Sequence, residues 1–189
     1  MEYVILVRHG ESMTNRSGIL SREMNKYGLT DNGIEQAKFT AYQLKSMNFD
    51  MIISSPVLRA RETARIIANE TNLKLKIDDR AIESDFGQYE GMHINEIPMK
   101  PREELGMETF ESQQARMIDL IDSYNGRCII VSHAFPIRAA ISYYLNMDEQ
   151  ESFGIEIRYA SMSAIDVKNK RILSIGSLLI TDRIKKRFS

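Results

Sequence analysis

Four consecutive aliphatic residues, Val4-Ile5-Leu6-Val7, run without alternation into Arg8-His9-Gly10-Glu11. A strand that is apolar on both faces must be covered on both, as an inner strand of a parallel sheet is when helices pack above and below it. Its carboxyl end then opens on a crevice, and there the apolar text stops. Arg8 brings a permanent cation and His9 a nitrogen nucleophile to adjacent positions, while Gly10 lets the chain turn sharply and approach a ligand closely. Such a pair suits a phosphoryl group. An isolated Arg-His pair more often just ends a strand, so the assignment depends on what else the chain supplies.

With 189 residues the chain is long enough for one domain, 1–189, with a sizeable core. Hydrophobic residues at 43% and charged residues at 27% separate it from disordered chains. A net charge of −1 argues against general nucleic-acid binding and confines any positive potential to a site. No apolar run approaches the ~18 residues that span a bilayer, and no leader pattern opens the chain, so a cytoplasmic protein without membrane contact is expected. The single cysteine, Cys128, lies in an apolar run and reads as buried filler. The basic tail from Arg183 to Phe188 reads as a solvated end.

The rest of the chain alternates helix and strand patterns. Residues 16–28 form an irregular loop over the crevice, with Arg22 and Lys26 able to face a substrate. Thr30 caps a helix whose apolar face is Ile34, Ala37, Ala41 and Leu44. A strand over 49–54 leads to Ser55-Pro56, an N-cap followed by proline, and a helix carrying Arg59 in its opening turn. A short strand over 73–77 precedes the loop Ile82-Glu83-Ser84-Asp85-Phe86-Gly87-Gln88-Tyr89-Glu90-Gly91. Residues 92–107 make one wall of the site, where Lys100 and Arg102 are further anion-binding candidates. For Arg22, Lys26, Lys100 and Arg102 alike, solvated surface charge is the plainer alternative. His93 reads as a surface or wall residue. A helix over 109–124 is followed by the strand Arg127–Ser132, which repeats the first layout: buried aliphatics, then a histidine, His133. Patterns over 161–167 and 172–179 alternate enough to be closing strands.

Arg8-His9-Gly10-Glu11-Ser12 with Asn15, the segment Ser54-Ser55-Pro56-Val57-Leu58-Arg59-Ala60-Arg61-Glu62-Thr63-Ala64, Glu83 four residues before Gly87, and Ser132-His133 together resemble the signatures of the histidine phosphatase superfamily, the phosphoglycerate mutase-like family. The resemblance implies a three-layer α/β/α sandwich with a mostly parallel central sheet. It implies His9 as a nucleophile that is transiently phosphorylated, Arg8, Arg59 and His133 as a cationic clamp, and Asn15 as a neutral hydrogen-bond donor. Glu83 would be the proton donor, with Asp85 as the second candidate and Glu90 fixing the turn before Gly91. These parts match what phosphoryl transfer requires: an in-line nucleophile, positive charge around the equatorial oxygens and a proton for the leaving oxygen. Metal chemistry at His9, His133 and Glu83 is disfavoured, because two arginines repel a divalent cation and no His-x-x-x-His spacing occurs.

Two departures bear on the reaction. Mutases of the family carry Glu-Arg-His-Tyr-Gly around the acid and Gly-Asn after the second histidine, whereas this chain has Glu83-Ser84-Asp85-Phe86-Gly87 and Ala134-Phe135. The expectation is therefore hydrolysis of small phosphorylated metabolites without a cofactor. A phosphoglycerate mutase dependent on 2,3-bisphosphoglycerate is the alternative, and a non-catalytic phosphate- or protein-binding relative the third. A homodimer is left open.

Overall fold

A computed structural model describes residues 1–188. In chain order the elements are β1 (Tyr3–Arg8), a single turn α1 (Met13–Arg16), α2 (Asp31–Leu44), β2 (Met51–Ser54), α3 (Leu58–Thr71), β3 (Leu75–Ile77), α4 (Phe110–Asp122), β4 (Arg127–Ser132), α5 (Ala134–Leu145), the short α6 (Glu149–Ser152), β5 (Met162–Asp166), β6 (Arg171–Ser177) and α7 (Asp182–Lys185). One sheet collects the strands in the order β3-β2-β4-β1-β5-β6. The first four are parallel, and β5 and β6 close it antiparallel.

The period of two in β1 divides its apolar run between two cores. Ile5 and Val7 pack with Ala41 and Leu44 of α2 and Ala60, Ala64 and Ile67 of α3. Val4 and Leu6 pack with Met117, Leu120 and Ile121 of α4 and Ile137, Ala140 and Ile141 of α5. Helices therefore cover both faces, which is the three-layer α/β/α arrangement the unbroken apolar strand requires. The side chains of Thr30 and Thr109 cap α2 and α4 by accepting from Gly33 and Ser112.

Two local expectations are corrected. Helix α3 begins after Val57 rather than at a Ser55 cap, and Val57 lends no side chain to its free amides. The Ser55 hydroxyl accepts the Val57 N–H at 3.2 Å and lies 2.8 Å from His133 Nε2, which draws it into the interior. The C-terminal tail, read as solvated, is docked. Ile184 and Phe188 fall four residues apart on one face, and Phe188 is fully buried against Tyr3 and Phe49. Its cations stay outside: Arg183, Lys186 and Arg187 are exposed. Cys128 is buried, and burial pushes its thiol up to about 11.

The chain leaves β1 toward β2 across one face through α2 and leaves β4 toward β5 across the other through α5. Neighbouring strands thus send their connections in opposite directions, and a crevice opens between their carboxyl ends. His9 follows one strand and His133 the other. No helix among the described residues is long and apolar enough to cross a membrane.

Candidate phosphoryl-transfer site

The end of β1 is tied on every side. His9 N–H donates to Ser132 O at 3.0 Å, and Ala160 N–H donates to His9 O at 3.1 Å. Gly10 N–H donates to the Thr63 hydroxyl at 3.1 Å. Gly10 is needed for a reason other than ligand approach: a Cβ there would stand 2.3 Å from Gly33 O, so helix α2 occupies the space expected for a ligand. Glu11 joins the same contact, accepting from the Thr30 hydroxyl at 2.7 Å.

These anchors fix the imidazole of His9, which is 2% exposed. Nδ1 lies 2.7 Å from Gly10 O, and a carbonyl can only accept, so Nδ1 carries the proton. Nε2 is then the lone-pair nitrogen, and Arg59 Nε donates to it at 3.0 Å. Burial, together with Arg59 and Arg8, holds the imidazole well below its usual range and therefore neutral at pH 7.

Arg59 is 3% exposed and links three elements. Nη2 donates to Ser21 O at 2.8 Å and faces His133 Nδ1 at 3.2 Å, while the buried Nη1 finds no acceptor among the described residues. Because guanidinium only donates, His133 Nδ1 accepts and its proton sits on Nε2, pointed at Ser55. The two imidazole centres are 5.0 Å apart. The expectation of a cationic His133 is corrected here: burial first, then Arg59, pushes its pKa well down, so it is neutral beside the guanidiniums. Arg8 donates through Nη1 to Ile157 O at 2.6 Å and lies 4.2 Å from the centre of the Tyr159 ring.

Glu83 enters from the loop before α4. Ser132 donates its hydroxyl to Ala81 O at 2.7 Å, which fastens this loop to the end of β4. Glu83 is 7% exposed, accepts from Ser84 N–H at 2.9 Å, and brings its other oxygen to 3.7 Å from His133 Nδ1. Burial raises its pKa even though Arg59 and Arg8 pull the other way. A carboxyl whose proton is held more tightly than usual is suited to give that proton to a leaving oxygen and take one back.

A cleft of about 350 Å³ joins Arg8, His9, Arg59 and Glu83 with Thr14, Asn15, Ser21, Phe135, Arg138 and Tyr159. Asn15 commits its Oδ1 to the Ser12 N–H and hydroxyl, leaving its amide to donate. The other anion-binding candidates stay outside this lining. Arg22 pairs with Asp85 at 3.1 Å, Lys100 is exposed beside Glu104, and Lys26 is exposed over Tyr27. Arg102 is held between Glu149 at 2.6 Å and Ser84 at 3.1 Å. Each prefers a nearby acid or solvent to a crevice already crowded with guanidinium. Asp85, too, lies outside the cleft, whereas Glu90 binds the Ser21 hydroxyl and Arg22 N–H and so ties the 16–28 loop to the turn at Gly91. His93 stands against Gly18 as part of the wall. Among the described residues no three His, Cys, Asp or Glu side chains cluster as metal ligands would.

Reading of the sequence missed Tyr159 and Arg138, and gave Ser55 a helix cap without its contact with His133. Arg138 had a visible signal, since it is the one charged residue in the helix Ala134–Leu145. Tyr159 sits in an aperiodic stretch and had none.

Comparison with known proteins gives the same picture. The family model for the histidine phosphatase superfamily (branch 1) matches residues 4–175. A 2,3-bisphosphoglycerate-dependent phosphoglycerate mutase of Thermoplasma acidophilum is 42% identical, with 98% of each chain covered. Phosphoserine phosphatase 1 of Hydrogenobacter thermophilus is 31% identical over 90% of this chain and 89% of its own. Among solved structures, phosphoserine phosphatase of Entamoeba histolytica in complex with 3-phosphoglyceric acid superposes with a TM-score of 0.80 at 25% identity, covering 97% of this chain and all of that one. With its signature residues gathered at the carboxyl ends of β1 and β4, this chain belongs to the histidine phosphatase superfamily, branch 1.

Proposed function

We propose that this protein transfers phosphoryl groups through a phosphohistidine on His9, taking them from small phosphorylated carboxylic acids and returning them to acids of the same class, as a mutase does. The observation that carries the chemistry is the Nδ1–Gly10 O hydrogen bond, which leaves the Nε2 lone pair beside two guanidiniums. In the first step Nε2 attacks phosphorus in line and the ester P–O bond breaks. Arg8, Arg59 and the Asn15 amide take the equatorial oxygens, and protonated Glu83 gives its proton to the leaving oxygen. In the second step the Glu83 carboxylate takes a proton from the incoming hydroxyl as the N–P bond breaks. Nδ1–H donates to Gly10 O throughout, which offsets the positive charge developing on the ring. Burial first, then the cations, keeps His133 neutral, and a bound dianion opposes both and so favours its protonated form in the complex.

Two observations favour return of the phosphoryl group over hydrolysis. The reacting groups are withdrawn from water, with His9 at 2% and Arg59 at 3% exposure. The mutase is also a nearer relative than the phosphoserine phosphatase, 42% against 31% identical. The departure at Ser84-Asp85 weighs little for hydrolysis, because Ser84 is fully buried and Asp85 pairs with Arg22 outside the cleft. Hydrolysis stands as the second reading on one observation: Phe135 lines the cleft and offers no side-chain donor to a glycerate.

The test supplies 3-phosphoglycerate with a trace of 2,3-bisphosphoglycerate as phosphoryl donor and follows 2-phosphoglycerate and free phosphate together. Isomerisation should outrun phosphate release by about tenfold or more. Phosphate release matching or exceeding isomerisation would hand the protein to the phosphatase reading.

A further inference from the structure

Three cations line the His9 cleft: Arg8, Arg59 and Arg138. Glu83 acts on all three, but only the first two act on the nucleophile, leaving Arg138 without a part in the phosphoryl chemistry. Like Arg8 and Arg59 it has no carboxylate partner among the described residues, which sets it apart from the arginines around the rim. Arg22, Arg102, Arg116 and Arg158 each hold a carboxylate within 3.4 Å. Arg138 makes no ion pair among the described residues, and its one hydrogen bond runs from Nε to Ile155 O at 3.3 Å. Both terminal nitrogens are left to donate.

The stem of Arg138 is placed rather than loose. Its guanidinium carbon lies 5.6 Å from the centre of the Phe135 ring and 5.8 Å from that of Phe153, on a half-buried helix face. Burial is the largest influence disfavouring its charge, Arg8 and Arg102 add cationic repulsion, and Glu83 and Glu149 oppose them in part. A half-buried guanidinium beside two further cations, with a free fork, is a site that gains when an anion arrives. A planar fork matches a carboxylate or a phosphate in bidentate fashion, and a cleft of about 350 Å³, at the small end for ligand pockets, favours the smaller carboxylate beside the phosphoryl group already at His9. The cleft meets a larger cavity of about 800 Å³ at a wall formed by Arg8, Tyr159 and Arg138.

We infer that Arg138 is the receptor for the substrate's carboxylate, and thereby the residue that selects phosphorylated carboxylic acids over other phosphomonoesters of the same size. The inference rests on the proposed substrate class but not on whether the phosphoenzyme is hydrolysed or returns its phosphoryl group.

The experiment measures equilibrium binding by calorimetry of two ligands to wild type, Arg138→Met and Arg138→Lys. The ligands are 3-phosphoglycerate and glycerol 3-phosphate, which differ in the carboxylate. Wild type should prefer 3-phosphoglycerate. Arg138→Met keeps the apolar stem between the two rings and should lose about 10- to 100-fold for 3-phosphoglycerate, the scale of one charge-assisted hydrogen-bond pair, and less than threefold for glycerol 3-phosphate. Arg138→Lys keeps a cation and should recover part of the preference. Equal losses on both ligands, or none on either, would overturn the assignment while leaving the substrate class intact. A wild type that does not discriminate would overturn both, and the thermal unfolding midpoint of the Met variant, measured beside wild type, shows in each case whether the fold is intact.

Discussion

The carboxyl ends of β1, β2 and β4 and the loops at 16–28 and 84–107 present similar residue types to the same crevice, yet the structure uses them differently. At the strand ends, charged and polar groups are buried and bonded to one another: His9 to Gly10 and Arg59, Arg59 to Ser21 and His133, His133 to Ser55. In the loops the cations are paired with neighbouring acids and half-exposed, as in Arg22–Asp85 and Lys100–Glu104. A strand end has its backbone fixed by the sheet, so the side chain that follows points where the ladder aims it. Loop charges are free to satisfy one another, and surface pairs of this kind contribute little. Proximity to a crevice in sequence is therefore weak evidence for a loop cation and strong evidence for a residue that ends a buried strand.

The sharpest way to break this contrast is at the nucleophile. His9→Ala should reduce turnover to background, a loss of about 10⁴-fold or more, and abolish the acid-labile, base-stable phosphate trapped on wild type. Labelled phosphoprotein persisting in the variant would move the nucleophile elsewhere. Glu83→Gln should cost about 10²- to 10⁴-fold with alkyl phosphates but much less with aryl phosphates, whose leaving groups need no proton. If Asp85→Asn costs more than Glu83→Gln, the proton donor lies in the exposed loop and the contrast fails.

Arg59→Ala should lose about 10²- to 10³-fold, as when one donor to developing charge is removed. It carries a second readout with a definite sign. Burial, Arg59 and Arg8 depress the pKa of His9, so the acidic limb of kcat/KM should lie below 6.5 and should move upward when Arg59 is removed. An unmoved or lowered limb would show that His9 is not the group titrating. The smallest effects belong to the loops: Arg22→Ala and Lys100→Ala should each stay within about threefold of wild type with 3-phosphoglycerate. A tenfold rise in KM for either would place it at the substrate after all and erase the distinction.

Much of the fold was legible because it rests on local patterns. Unbroken apolar runs marked β1 and β4 as inner strands, and spacing of three and four marked the inner face of α2. The resemblance carried Glu83, which no periodicity would have singled out from the acids around it. Where the sequence misled, a group had two available partners. Ser55 read as a helix cap but faces His133, Gly10 read as a ligand turn but faces Gly33, and His133 read as a cation but is neutral. Phe188 was hidden by the basic residues around it, although its spacing from Ile184 was on view.

By itself the sequence determined which residues end buried strands, Arg8, His9 and His133 among them, because a strand's period and burial are properties of adjacent residues; that β1 and β4 lie side by side and bring them together came from the order of the sheet. Only the tertiary structure decided how those groups are protonated and which other cations join them. His9 has its proton on Nδ1 because Gly10 O is there to accept it. Arg138 reaches the cleft unpaired because α5 crosses the face opposite α2, while Arg102, from the neighbouring loop, is taken up by Glu149. Protonation and pairing depend on the desolvation and distances that packing creates between residues far apart in the chain, and no local pattern encodes them.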